Sequence, residues 1–127
     1  MSNNYKKKIV IGSSQFGYNY GISNISGEVK SKNIAKIIKY GKTKGLRCIE
    51  TSSSYGNAEK KLGRENLKKW KIITKVKITK IKKKEIEEEI LNQIINSKKK
   101  LKINFFEAIL IHNTKSLSKK QVVYSIN

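Results

Sequence analysis

The stretch Ile49-Glu50-Thr51-Ser52-Ser53-Ser54-Tyr55-Gly56-Asn57-Ala58-Glu59 decides how this chain of 127 residues is read. A short apolar run closes on Glu50, a loop of small residues leads to Tyr55-Gly56, and Asn57 then opens a helical pattern carrying Leu62 and Leu67. The same order of strand, loop and helix recurs on both sides. Upstream, Lys8 to Gly12 (KIVIG) reads as a strand closed by Ser13, Ser14 and Gly17, before a polar loop from Tyr18 to Gly27. Downstream, Trp70 to Val76 (WKIITKV) alternates as a third strand and contains Lys75. Phe105 to Ile111 (FFEAILI) is a fourth strand and ends at His112, the only histidine. The second strand itself spans Arg47 to Glu50. Glu50, Tyr55, Lys75 and His112 thus fall at or just past the C-terminal ends of consecutive strands.

Helices fill the intervals. From Ser31, expected as an N-cap, Ile34, Ile37 and Ile38 recur at helical spacing with Ala35 beside them, and Gly41 and Gly45 offer a stop. Asn57 is expected to cap the next helix, with Glu59 in its first turn, where a carboxylate suits the dipole. The clearest helix runs from Lys83 to Leu101. Ile86, Ile90, Ile94 and Leu101 form its apolar stripe, widened by Leu91 and Ile95. Glu85, Glu87, Glu88 and Glu89 crowd its start and Lys98, Lys99 and Lys100 its last turn, both matching the macrodipole. Lys119 to Asn127 reads as the start of one more helix. Alternating strands and helices with crossovers of a dozen or more residues define a parallel α/β fold. Four strands and three and a half helices amount to the N-terminal half of a (β/α)8 TIM-type barrel, about four βα units, since a whole barrel takes about 250 residues. Loops after the strands form the active face of such a barrel. A half-barrel leaves two open edges and an apolar interior, so a complementing C-terminal half or self-association is expected.

Composition bounds the setting. Lys and Arg number 29 against 9 Asp and Glu, a formal charge of +20, with neither Pro nor Asp in the chain. A nucleic-acid partner is the first thought. Yet only Arg47 and Arg64 are arginines, the side chain suited to bidentate readout, and the lysines are spread along the whole chain. They read as a solvated surface with no specific nucleic-acid partner, although nonspecific adhesion to polyanions at low salt follows. No apolar stretch approaches the roughly 20 residues of a membrane helix, and the polar, basic start is no signal peptide. Cys48 stands alone, so no intrachain disulfide forms, which fits a reducing cytoplasm. No metal-ligand pattern is evident.

Singly, each candidate has a plain structural reading: a Tyr-Gly turn, one lysine among many, a histidine at a strand end, a loop carboxylate. The joint order is what is specific. Ile11-Gly12-Ser13-Ser14-Gln15-Phe16-Gly17, Tyr20-Gly21-Ile22-Ser23-Asn24, Asn57-Ala58-Glu59 and Leu62-Gly63 extend the pattern. From Lys8 to Asn113 the chain resembles the aldo/keto reductase family, whose catalytic set is Asp, Tyr, Lys and His in that order. The resemblance implies an oxidoreductase that reduces an aldehyde or ketone, a small carbonyl substrate, to an alcohol with NADPH. It implies Tyr55 as general acid, with Lys75 and His112 as its partners. Glu50 stands where the family has aspartate, one methylene longer, and Gly12, Ser13 and Ser14 would lie under the nicotinamide. Residues 1–127 are then a partial reductase domain without the C-terminal half, whose strands grip the rest of the dinucleotide. The chemistry is consistent with these residue types. A phenol titrates near 10, too high to be well matched at neutral pH, and a neighbouring ammonium favours its ionised form. Glu50 would hold Lys75, and His112 would donate or accept a hydrogen bond at the substrate oxygen. A catalytically inactive remnant that keeps the motif, and a basic polyanion-binding module, are the alternative readings.

Overall fold

A computed structural model describes residues 8–114 together with 117 and 118; the helix expected over 119–127 lies outside them. Four strands form one sheet: β1 (Val10–Gly12), β2 (Cys48–Glu50), β3 (Lys71–Val76) and β4 (Ala108–Ile111). They lie side by side in chain order, every pair parallel. The order advances in one direction without reversal, the arrangement of successive barrel units and not of a doubly wound sheet, which turns back at a switch point. Each strand is one to three residues shorter than the apolar run that announced it.

Register fixes which side chains share a face. Gly12 pairs with Glu50, Glu50 with Ile73, and Ile73 with Ala108; Lys75 pairs with Leu110. Because side chains alternate along a strand, Ile49, Ile72, Thr74 and Val76 share the opposite face and are buried. That face packs on the helices. Its core joins Phe16, Ile34, Ile38, Ile49, Leu62, Leu67, Trp70, Ile72 and Leu101. Each fully buried Ile or Leu there contributes about 1.5–3 kcal/mol. On the other face Val10 and Leu110 are exposed, while Glu50 and Lys75 are half-buried.

The helices follow from their spacing, with corrections at the ends. A turn not announced by the sequence, α1 (Ser14–Gly17), follows β1 directly and buries Phe16. In α2 (Ser31–Thr43), Ile34 and Ile38 bury one face. Ser31 is not its N-cap: Lys30 holds that position, and its carbonyl accepts from the N–H groups of Asn33 and Ile34. The helix ends before Gly45, which takes φ +82°, the left-handed conformation suited to glycine. α3 (Ala58–Leu62) is a single short turn with Asn57 at the cap position, where it makes no side-chain capping bond. Leu67 lies beyond that helix yet is buried in the core. α4 (Lys83–Leu101) has the bounds its stripe predicts, but Leu91 and Ile95 are exposed, and the stripe is completed by buried Ser97.

Glu59 lies in the first turn of α3, as its place after Asn57 predicts. It is also 2% exposed and accepts hydrogen bonds from Thr74 Oγ1 (3.2 Å) on β3 and Ser97 Oγ (2.9 Å) on α4. Burial pushes its carboxyl above the ordinary range, against the two hydroxyl bonds and the charge of Lys100. It ties α3, β3 and α4 together.

Candidate active site

The C-terminal ends of β2, β3 and β4 converge on one cluster. Lys75, on β3, sends its side chain to the half-buried face, where Nζ donates to Glu50 Oε1 at 2.6 Å and to Tyr55 Oη at 2.8 Å. The ring of His112, the first residue after β4, lies edge-on to that of Tyr55, with centroids 5.7 Å apart and planes at 74°. Glu50, Tyr55, Lys75 and His112 are therefore brought together. The additional methylene of Glu50 does not stop its carboxylate from reaching Lys75.

Protons in this cluster are constrained by valence. An ammonium only donates, so Tyr55 Oη accepts from Lys75 and its own proton is left for another acceptor. Burial alone would pull the Lys75 ammonium down. The hydrogen bonds to Glu50 and Tyr55, with the Glu50 charge, outweigh this and hold it above its ordinary value. Lys75 thus stays cationic through neutral pH, with its ammonium held against the Tyr55 oxygen.

The loop that positions Tyr55 is fastened from several sides. Thr51 N–H donates to Ile73 O (2.8 Å), continuing the β2–β3 ladder, and Tyr55 N–H closes a turn on Ser52 O (3.0 Å). Gly17 of α1 lies against the same loop: a Cβ there would come within 1.6 Å of Tyr55 O, so only glycine allows that approach. Tyr18 packs edge-on against Tyr55, centroids 6.3 Å apart, and desolvation, with Tyr55 and Tyr20 nearby, raises the Tyr18 phenol above its ordinary value. Gln93 of α4 donates through Nε2 to Lys77 O (2.7 Å), while its Oε1 accepts from Lys77 N–H (2.9 Å) and Ser53 Oγ (3.1 Å). One amide thereby fixes both the end of β3 and the Tyr55 loop. Sequence reasoning passed over Tyr18, Ser52, Gln93 and Ser97. A polar residue on a helix carries no signal of its partner, although Ser97, seven residues after Ile90 and four before Leu101, lay in register with the apolar stripe.

The three residues at the end of β1 divide. Gly12 is exposed and stands in register beside Glu50, with Glu50 Oε2 4.0 Å from where a Cβ would be. Ser14 is half-buried at the start of α1. Ser13 donates its N–H to Glu50 O (3.0 Å), but its hydroxyl is fully buried and has no hydrogen-bond partner among the described residues. A flat ring laid across the strand ends would meet bare backbone at Gly12, so this position fits a nicotinamide; the Ser13 hydroxyl does not face it. No group of three or more His, Cys, Asp or Glu among the described residues is placed to hold a metal.

A parallel sheet in simple order, with an acid, a tyrosine, a lysine and a histidine gathered at its C-terminal edge, is the arrangement of successive units of a barrel-type α/β fold. The sequence profile of the Aldo/keto reductase family matches residues 8–122, and the chain belongs to that family. No curated protein matches it closely in sequence. Among solved structures it is similar to PA4992 from Pseudomonas aeruginosa, assigned as an aldo-keto reductase. That match has a TM-score of 0.69 at 20% identity and covers 92% of this chain and 49% of that one. A second protein so assigned from the same organism gives 0.66 at 20% identity, over 84% and 41%. The thermostable aldo-keto reductase Tm1743, solved with the inhibitor epalrestat, gives 0.63 at 18%, over 92% and 43%. The four βα units match the N-terminal part of those (β/α)8 barrels, and the chain spans less than half the length of each. No helix among the described residues is long and apolar enough to cross a membrane.

Proposed function

We propose that this chain carries the proton-transfer half of an aldehyde or ketone reductase that works with NADPH in the cytoplasm. The observation that carries this reading is Lys75 Nζ bonded at once to Tyr55 Oη and Glu50 Oε1. Reduction of a carbonyl needs a hydride on carbon and a proton on oxygen, and no side chain supplies a hydride. NADPH supplies that hydride when bound, and Gly12 and Ser14 are the residues here that would lie against its nicotinamide. Tyr55 gives the proton: its hydroxyl is free to donate because Lys75 occupies the oxygen as donor. As the proton leaves, the charge left on Tyr55 is met by an ammonium already in place, the preorganised kind of stabilisation that needs no rearrangement at the moment of reaction. Glu50 holds Lys75 in position. His112, beside Tyr55, would line the substrate pocket next to the reacting oxygen. A complementing C-terminal half would cover the exposed face bearing Val10 and Leu110 and hold the remainder of the dinucleotide. The lone, unpaired Cys48 agrees with a reducing compartment.

The test is NADPH consumption with a reactive aromatic aldehyde, run with this chain and with the chain extended by a reductase C-terminal half. Turnover in either preparation supports the proposal. A folded, NADPH-binding protein with no turnover in both would leave the inactive-remnant reading in its place.

A further inference from the structure

Ser52 is 1% exposed, and its hydroxyl has three partners. Ser54 N–H lies 3.1 Å from Oγ, Lys75 O lies 3.2 Å away, and His112 Nδ1 lies 3.1 Å away. A hydroxyl has one proton and two acceptor positions. The Ser54 amide only donates, so it fills one acceptor position. The Lys75 carbonyl only accepts, so it takes the proton. What remains for the histidine is the second acceptor position, and only a protonated Nδ1 can fill it. In the opposite arrangement Ser52 would donate to Nδ1. Its oxygen would then face the Lys75 carbonyl at 3.2 Å, lone pairs against lone pairs, and that carbonyl would keep only the 3.4 Å bond from Ser53 N–H, because Ser53 Oγ gives its one proton to Gln93 Oε1 at 3.1 Å. Burial makes an unmade bond of this kind expensive, about 1–3 kcal/mol.

We infer that Ser52 is a positioning residue that sets the tautomer of His112, holding the neutral ring with its proton on Nδ1 and leaving Nε2 bare. The inference deepens the reductase reading and rests on it for its meaning. Where the role of His112 was open between donor and acceptor, this network makes the neutral ring an acceptor at Nε2. It can receive a hydrogen bond from an O–H group, the alcohol form of the substrate or the Tyr55 hydroxyl, but it cannot donate to a carbonyl oxygen. Only the imidazolium donates there, and it does so without disturbing Ser52, because Nδ1 carries a proton in both forms. The backbone supports the arrangement. His112 N–H is tied to Val76 O (2.8 Å), one residue past the Lys75 carbonyl that takes the Ser52 proton. The same ladder therefore fixes the ring, the serine and the lysine together.

His112 is the only histidine in the chain, so one set of imidazole signals reports it. The experiment is long-range proton–nitrogen correlation on the full 127-residue chain labelled with ¹⁵N-histidine, at a pH where the spectrum shows a neutral ring. The expected result is the Nδ1–H pattern in the parent chain. Ser52→Ala should shift the ring toward the Nε2–H form that free imidazole side chains favour, and Ser52→Thr, which keeps the hydroxyl, should restore Nδ1–H. An Nε2–H pattern or an even mixture in the parent chain overturns the inference, and the parent spectrum decides even where Ser52→Ala does not fold. The reading needs no turnover, so its failure leaves the role of Tyr55 standing. Failure of Tyr55→Phe to affect turnover would equally leave the tautomer in place.

Discussion

Replacing Lys75 by methionine keeps an unbranched side chain and removes the ammonium, its charge and its N–H donors together. In the native cluster Nζ is 2.6 Å from Glu50 and 2.8 Å from Tyr55 Oη, and the Lys75 and Glu50 side chains are 23% and 21% exposed. Two separate losses follow. Glu50 is left without its cation. Exposed pairs are worth about 0–1 kcal/mol and breaking buried ones costs about 3–5, so a pair one-fifth exposed should cost roughly 1–3 kcal/mol of stability. The second loss is kinetic. An opposite charge within hydrogen-bonding distance stabilises an ionised group by about 1.4–4 kcal/mol, which is about 10- to 1,000-fold in any step that leaves charge on the tyrosine oxygen. Lys75 is held above its ordinary value, so its contribution to stability is complete below about pH 10.4 and lost only as the pH rises through the higher folded value. The ion pair is therefore intact across the working range. The assay is alcohol oxidation by NADP⁺ from pH 7 to 10 in the chain completed by a C-terminal half, with urea unfolding alongside. The variant should lag the parent at neutral pH by about 10- to 1,000-fold. A Lys75→Met protein within about twofold of the parent at neutral pH would refute this account of Lys75.

Further outcomes are expected at Glu59, at Gly17 and at the basic surface. Glu59→Ala strands the buried hydroxyls of Thr74 and Ser97 and should lower the urea-derived stability by roughly 2–6 kcal/mol, at about 1–3 for each lost acceptor. Burial raises the Glu59 carboxyl, so its effect on pH dependence has a definite sign. The relative stabilisation is complete below the unfolded carboxyl's value and is lost as the pH rises through the folded one; Glu59→Gln should flatten that slope, and an unchanged slope would count against it. Gly17→Ala would force a Cβ to within 1.6 Å of Tyr55 O, so it should cost about 1–3 kcal/mol by overpacking. Because displacing a catalytic group by 1 Å can cost about 100-fold, turnover should fall further than stability; equal losses would separate α1 from the site. Binding of a labelled single-stranded oligonucleotide should vanish by about 200 mM salt, and retention with sequence preference beyond that point would favour the polyanion-binding reading.

What could be read from the sequence was what depends on spacing along the chain. The stripe Ile86, Ile90, Ile94 and Leu101 predicted α4 with its observed bounds, and the apolar runs predicted four parallel strands in order. The convergence of Glu50, Tyr55, Lys75 and His112 followed from the same topology, because residues at the C-terminal ends of adjacent parallel strands necessarily become neighbours. Contacts between elements were not legible. Glu59 reads as a first-turn carboxylate, which it is, but nothing in Asn57-Ala58-Glu59 shows that Thr74 and Ser97 will surround it. Ser52 looked like one of three loop serines, yet it alone faces the histidine 60 residues away. Ser31 and Asn57 have the right chemistry for caps, but Lys30 takes the cap position of α2, and Asn57 makes no side-chain capping bond at that of α3.

The measurement that bears most directly on the central claim is the rate of NADPH-dependent reduction of a reactive aldehyde by Tyr55→Phe against the parent, in the completed barrel. The substitution removes one oxygen and leaves the buried ring in place. A positioned general acid contributes about 10²–10⁴-fold, so the account predicts a loss of at least about 100-fold with an unchanged urea midpoint. A Tyr55→Phe protein that turns over at the parent rate would contradict it, and the proton would have to come from another group.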